Sequence, residues 1–258
     1  MGRDIVKNLK FKKHTGKFFD PELFANLLDE SYRNTKRGDQ MTTKNSFSPS
    51  LLGYGHGNCP RYWYLAFSGV MFIDNNDAIS VANMAQGTQA HERIQKLVSK
   101  MGVMRHEELE IKNEYPPVRG FIDLVLDWEG EEVIGEIKTA KQEVWDARQS
   151  TMAPSPNHLL QLLTYMKLRK AKEGFFLYEN KNTQEILLIP IVLNEKNKQI
   201  IEELFTWMCE VYDNFKDGGL PMRPFTKSTY SCKNCPVKKE CWDGPLGEVQ
   251  ISAYEVVK

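Results

Sequence analysis

Hydrophobic positions recur along this chain with two different periods. Near 3.6 residues they mark helices. DPELFANLLDESYRN is one, with Asp20 placed to cap it and Pro21 at its first turn. The stretch from about 79 to 101 is a second, its apolar face carrying Ala82, Ala85, Ala90, Ile94, Leu97 and Val98. A third runs from about His158 to Lys172, after the loop TMAPSPN, and a long fourth ends at Gly218 and Gly219. Near two residues the pattern marks strands: ELEIKNEY, VRGFIDLVLDW, EVIGEIKTA, EGFFLYEN and QEILLIPIVL. The second and third form a hairpin across Glu129, Gly130 and Glu131, and the last two turn at Lys181 and Asn182. The order helix, three strands, helix, two strands, helix predicts an α/β fold, a mixed sheet flanked by helices.

Two stretches break the pattern. SPSLLGYGHGNCPRYWYLAFSG is glycine-rich before Cys59 and reads as an aromatic helix after it. PMRPFTKSTYSCKNCPVKKECWDGP is rich in proline, lysine and cysteine. These divide the chain into an N-terminal region (1–78), a core (79–218) and a C-terminal region (219–258).

Composition is that of a soluble globular protein, with 41% hydrophobic and 26% charged residues. Thirty-four basic residues balance 34 acidic ones, so any polyanionic partner must be met by a local patch. No apolar run reaches the ~18 residues of a membrane span. The basic segment 1–17, read as mobile or shaped by a partner, lacks the apolar core of a secretory signal. Five cysteines do not make the framework of a small secreted domain, which predicts a cytoplasmic protein.

The candidate chemistry begins with GEIKTA. Glu136 and Lys138 stand two apart on a strand and project from one face, away from Ile134 and Ile137. Asp123 sits in an otherwise apolar strand, where a carboxylate needs a cation, a cap or a metal. The hairpin brings Asp123 opposite the Glu136 region. Aspartate plus glutamate offers hard oxygen ligands for Mg²⁺ or Mn²⁺. Lys138 alongside can hold a water or stabilise developing negative charge. His91, on the helix before the sheet, can complete the shell of such an ion. Gln161 and Tyr165 share one helical face and can bind phosphate, sugar or base. Each feature alone also fits a plain structural reading: a salt bridge, a surface histidine, a polar seam.

Cys232, Cys235 and Cys241 form C-x2-C-x5-C, and Cys59 stands far upstream. Four thiolates can hold zinc or an iron–sulfur cluster, and the spacing alone leans to zinc. Cys209, on an amphipathic helix, reads as a buried core thiol. Arg61, Tyr62, Trp63, Arg223, Lys227, Tyr230, Lys233, Lys238 and Lys239 gather near these cysteines in sequence. Arg61, Tyr62, Lys227 and Lys233 are the candidate nucleic-acid contacts.

Taken in order, Gly87-Thr88-x-x-His91, Gly120-x-x-Asp123, Gly135-Glu136-x-Lys138 and Gln161-x3-Tyr165 resemble the PD-(D/E)XK nuclease superfamily. More narrowly, with the four cysteines, they resemble its RecB-type branch, which includes Cas4 and the AddB nuclease domain. The resemblance covers residues 59–242 and implies a restriction-endonuclease-like core. It implies metal ligands at His91, Asp123, Glu136 and the Ile137 carbonyl, with Lys138 aiding the attacking water and Gln161 and Tyr165 supporting substrate. It replaces zinc with a structural [4Fe–4S] cluster on Cys59, Cys232, Cys235 and Cys241, joining the two ends of the chain. The implied activity is a Mg²⁺- or Mn²⁺-dependent DNA exonuclease acting on single-stranded ends, in recombination, end processing or CRISPR-type adaptation of a prokaryote or phage. Its partners would be DNA and either further copies of itself or recombination proteins. No Walker-type G-x4-G-K-[ST] stretch accompanies it. A non-catalytic DNA-binding subunit and a zinc-stabilised endonuclease are the alternatives.

Overall fold

The computed structural model describes residues 19–35 and 43–255. The basic segment 1–17 and part of the polar loop before Ser50 lie outside the described residues. The helices are α1 (Pro21–Arg33), α2 (Pro60–Phe67), α3 (Ala78–Ser99), α4 (Gln142–Thr151), α5 (Pro156–Arg169), α6 (Glu195–Lys216), α7 (Tyr230–Lys233) and α8 (Lys238–Asp243). The strands are β1 (Met104–Asn113), β2 (Val118–Trp128), β3 (Glu131–Ala140), β4 (Glu173–Asn180) and β5 (Ile186–Val192). They form one five-stranded sheet in sequential order. Only the β3–β4 pair is parallel, and α4 and α5 make that crossover. This is the mixed sheet flanked by helices that the sequence predicts.

Local chemistry accounts for the elements. The Asp20 carboxylate caps α1, accepting from the Glu22 and Leu23 amides at 3.0 Å. Glu129 and Gly130 both take positive φ, 53° and 89°, which a two-residue hairpin turn requires, and Trp128 then pairs with Glu131. The turn is thus one residue shorter than predicted.

The sheet has two buried faces. On one, Val125, Ile134, Phe176 and Tyr178 pack with Leu162, Leu163 and Met166 of α5. On the other, Leu124, Leu126, Ile137 and Leu177 pack with Ile94 and Val98 of α3. Ile134 and Ile137 therefore lie on opposite faces, and Ile134 shares the Glu136 face, because the strand period is two. The buried stripe of α3 includes Ala78, Val81, Ala90, Ile94 and Val98, while Leu97 and Ala85 are exposed. The predicted face was rotated because α3 covers the sheet with i, i+4 positions. Helix α4 was missed: it is mostly polar and buries Trp145 alone. Cys209 is half-buried rather than a core thiol; α6 buries Leu204, Phe205, Met208 and Val211 instead.

Both flanking regions join the α5-side core. Phe47, Leu52 and Trp63 share it with Leu204, Trp207, Cys235, Val237 and Ile251. Phe47 also hydrogen-bonds beside the start of β2, accepting from Arg119 N–H at 3.0 Å and donating to Pro117 at 2.7 Å. This pins the serine-rich loop 46–50 against the sheet. None of the described helices is long and apolar enough to cross a membrane.

Candidate active site

A cavity of about 620 Å³ opens where the β2–β3 ladder ends. Its walls include His91, Asp123, Glu136, Lys138, Gln161 and Tyr165, with Gly120, Arg119 and the serine loop. All the predicted catalytic side chains thus reach one space.

The ladder supplies the geometry. Its last pair is Leu124 with Gly135. One residue on, the Asp123 carboxylate takes the place of a backbone acceptor: Oδ2 receives the Ile137 N–H at 2.7 Å. Its other oxygen, Oδ1, lies 3.6 Å from His91 Nδ1 on α3. Burial pulls the His91 pKa down, but Asp123 and Glu136 outweigh it and the net shift is upward.

Glu136, Lys138 and Gln161 close a triangle. Lys138 Nζ donates to Glu136 Oε1 at 2.5 Å and to Gln161 Oε1 at 3.1 Å. Gln161 Nε2 donates to the same Glu136 Oε1 at 2.6 Å. Glu136 Oε2 is buried and has no hydrogen-bond partner among the described residues. Burial pushes the Glu136 carboxyl up to about 8, Lys138 opposing and Asp123 adding to the rise. A buried carboxylate oxygen with nothing to bind is costly. A divalent cation would satisfy it, and Asp123 Oδ1 and His91 face the same cavity. The residues present fit such an ion.

Tyr165 is buried, and burial raises its pKa first, with Glu136 adding. Its hydroxyl lies under Gly120, where an added Cβ would sit 2.8 Å from it. Gly120 is therefore a steric requirement for Tyr165 to approach the site. Gly87 faces open space and Thr88 bonds back to Met84 of its own helix, so neither lines this cavity.

One residue was missed. Glu108, between the Glu107–Leu124 and Leu109–Ile122 pairs of the β1–β2 ladder, gathers with His91 and Asp123 so that one ligand atom from each lies within 4.8 Å of the others. Glu108 breaks strand geometry with φ 49°. Buried Gln95 holds it in place, donating from Nε2 to Glu108 Oε1 at 2.9 Å and to the Asp123 carbonyl at 3.1 Å. In sequence Glu108 looks like any solvated strand carboxylate; only its place beside His91 and Asp123 marks it.

The cysteines meet at a second place. Cys59 is the N-cap residue of α2, where the Arg61 and Tyr62 amides favour its thiolate against burial. Burial pushes Cys59 and Cys235 up to about 12, and neighbouring cysteines add to each rise. Cys235 and Cys241 act on Cys59, and Cys241 and Cys232 act on Cys235, so Cys235 lies within electrostatic reach of the other three; none is in a disulfide. Unlinked thiols near one another, Cys235 buried and the other three half-buried, fit a metal group that binds them as thiolates.

Arg61 and Tyr62 correct the sequence reading. Arg61 is 1% exposed and donates to the carbonyls of Pro221 at 2.6 Å and Leu246 at 2.8 Å, and to those of Pro245 and Cys241. Tyr62 packs on His56, Trp63 and Phe72. Neither side chain is available to a nucleic acid. Arg223 joins Arg61, donating from Nη2 to Cys241 O and Gly244 O at 2.7 Å each. The two guanidiniums cap the carbonyl end of the cysteine arm. Lys227 and Lys233 are exposed.

A family model for the PD-(D/E)XK nuclease superfamily matches residues 90–242, more than half of the chain. The chain belongs to the PD-(D/E)XK nuclease superfamily. The matched span begins beside His91 and takes in Asp123, Glu136, Lys138, Gln161, Tyr165 and the three C-terminal cysteines. No curated protein sequence matches this nuclease. Among solved structures, that of SSO0001 covers 88% of this chain and 98% of its own, at 15% identity and TM-score 0.47. The alkaline exonuclease LHK-Exo from Laribacter hongkongensis covers 67% of this chain and 90% of its own, at 13% identity and TM-score 0.50. Its complex with dAMP gives 14% identity, the same coverage and TM-score 0.49. At 13% identity the LHK-Exo likeness is one of fold.

Proposed function

We propose that this nuclease is a Mg²⁺- or Mn²⁺-dependent DNA exonuclease that hydrolyses phosphodiesters from single-stranded ends. The observation that carries the reading is the partnerless Glu136 Oε2, buried beside Asp123 and Lys138 in a cavity open to substrate. The alkaline exonuclease of the same fold supports a DNA substrate and an end-directed activity. In this reading His91, Asp123, Glu136 and the Ile137 carbonyl would hold the ion, and Glu108, gathered with His91 and Asp123, would be a further ligand. The ion supplies Lewis acidity to a phosphoryl oxygen and to water.

The chain's own residues supply the rest. Lys138 Nζ spends two donors on Glu136 and Gln161 and keeps a third for the attacking water or a phosphoryl oxygen. Gln161 fixes both partners of that lysine and so sets its direction. Tyr165, seated under Gly120, closes the cavity floor. The water oxygen bonds to phosphorus, one bridging P–O bond breaks, and the leaving oxygen takes up a proton.

The four cysteines hold a structural [4Fe–4S] cluster, as in the Cas4 and AddB branch, and staple the chain ends around the 79–218 core. Recombination, end processing or CRISPR-type adaptation in a prokaryotic or phage-infected cytoplasm is the setting this suits.

The test is anaerobic purification followed by digestion of end-labelled single-stranded DNA with Mn²⁺, alongside Lys138→Ala. Metal-dependent loss of label in wild type alone is the expected result. Cutting of closed circular DNA would replace the exonuclease with an endonuclease. A colourless protein carrying zinc would remove the iron–sulfur assignment.

A further inference from the structure

A second cavity, about 290 Å³, lies in the cysteine arm away from the cleavage residues. Lys227, Lys233, Lys238 and Lys239 line it beside Trp242, with Asp243 the one carboxylate in its wall. None of the four lysines forms an ion pair among the described residues. In a chain with 34 basic and 34 acidic residues, four unpaired cations around one small cavity need a reason. Asp243 offsets at most one of the four charges, so the cavity keeps a net positive charge that favours a further anion among the lysines. Trp242 is already faced by Arg223 at 4.8 Å and Lys227 at 5.7 Å, which fixes the indole as one wall.

This cavity runs into a neighbour. Lys233, Asn75 and Ile73 also line a cavity of about 600 Å³ that includes Tyr230 and His56. At its mouth Tyr54 and Tyr230 meet edge to face with centroids 5.7 Å apart, both more than half exposed. Tyr54 follows the serine loop, whose Ser46, Ser48 and Ser50 line the cleavage cavity. In sequence Ser46, Ser48 and Ser50 lead to Tyr54, and Tyr54 meets Tyr230, which with Lys233 lines the cavity next to the four lysines. Phosphates bind cations and unstacked bases bind aromatic faces, so the series fits a single strand of nucleic acid better than an acidic protein surface.

We propose that the DNA strand cut beside Glu136 runs past Tyr54 and Tyr230 and is anchored by its phosphates in the four-lysine cavity. The proposal rests on the nuclease reading and adds a remote grip, so affinity depends on strand length.

The experiment measures binding of labelled single-stranded oligonucleotides of increasing length by fluorescence anisotropy, across a salt series. The protein carries Lys138→Ala to prevent cutting, with and without glutamine at all four lysines. Glutamine at 227 and 233 alone, and at 238 and 239 alone, guards against loss of folding, which circular dichroism monitors. The expected result is a loss of at least tenfold in affinity for long strands and an end to the gain with length. The slope of log affinity against log salt should fall by about 2 to 3 for four lysines and about half that for each pair. An unchanged slope and length dependence, in a protein whose wild type cuts DNA, would overturn the anchor and leave the nuclease; the lysines would then suit an acidic protein. Failure of wild type to cut, with no DNA bound by any form, would overturn both.

Discussion

The candidate active-site cavity and the cysteine arm solve the same problem, burial of polar groups, in different ways. In the cavity the groups are close in sequence. Asp123, Glu136 and Lys138 fall within sixteen positions, and a two-residue turn brings them face to face. Their network is left one bond short, at Glu136 Oε2. In the arm the groups come from far apart: Cys59 and Cys232 are 173 positions distant. There Arg61 and Arg223 spend their donors on backbone carbonyls around Cys241. A site that must bind something keeps a vacancy in its hydrogen bonding. The joint spends most of its donors, and the buried atoms it leaves without a partner, Arg61 Nε and Trp242 Nε1, are donors that no cation would satisfy.

The comparison predicts that the two regions fail differently. The largest effect is Lys138→Ala, which should lower kcat about 10²- to 10⁴-fold and leave the melting temperature near that of wild type. A large loss of stability with it would make Lys138 structural. Next is Arg61→Met. Losing four carbonyl partners should cost about 3 kcal/mol, or roughly 6 to 12 °C in melting temperature. Turnover per folded enzyme should survive; a specific loss of kcat would blur the division.

The pH response is third. Glu136 is surrounded by Lys138, Asp123, His91 and Gln161, and its folded pKa of about 8 lies above its ordinary 4.5. A raised carboxyl holds its proton in the folded state, so its contribution is full below about 4.5 and is lost as pH rises through about 8. Chelated protein should therefore melt at lower temperature as pH climbs through that window, and Glu136→Gln should flatten the trend. Mn²⁺ needs the ionised form, so its stabilising increment should grow with pH. An increment independent of pH would remove Glu136 from the ligand set. The smallest effect is Gln95→Leu, which frees Glu108: about a tenfold loss in Mn²⁺ affinity by calorimetry, with the fold intact.

Much of this was legible in the chain because strand chemistry is local. A period of two set Glu136 and Lys138 on one side, and a short turn set Asp123 opposite them. The same locality explains the misses. Helix α4 buries a single tryptophan, too little for a pattern. Glu108 shows its place only through a partner strand and a left-handed backbone. Arg61 and Tyr62 read as surface residues beside a cysteine, yet α2 turns them into the joint with the C-terminal arm.

By itself, then, the sequence determined the succession of strands, the side shared by Glu136 and Lys138 and the group of residues at the hairpin, since these depend on neighbours a few positions apart. Tertiary structure alone decided which cations are buried and which are free, and which carboxylate oxygen lacks a partner. Those depend on what a side chain meets across the fold, where desolvation and hydrogen bonding are settled together.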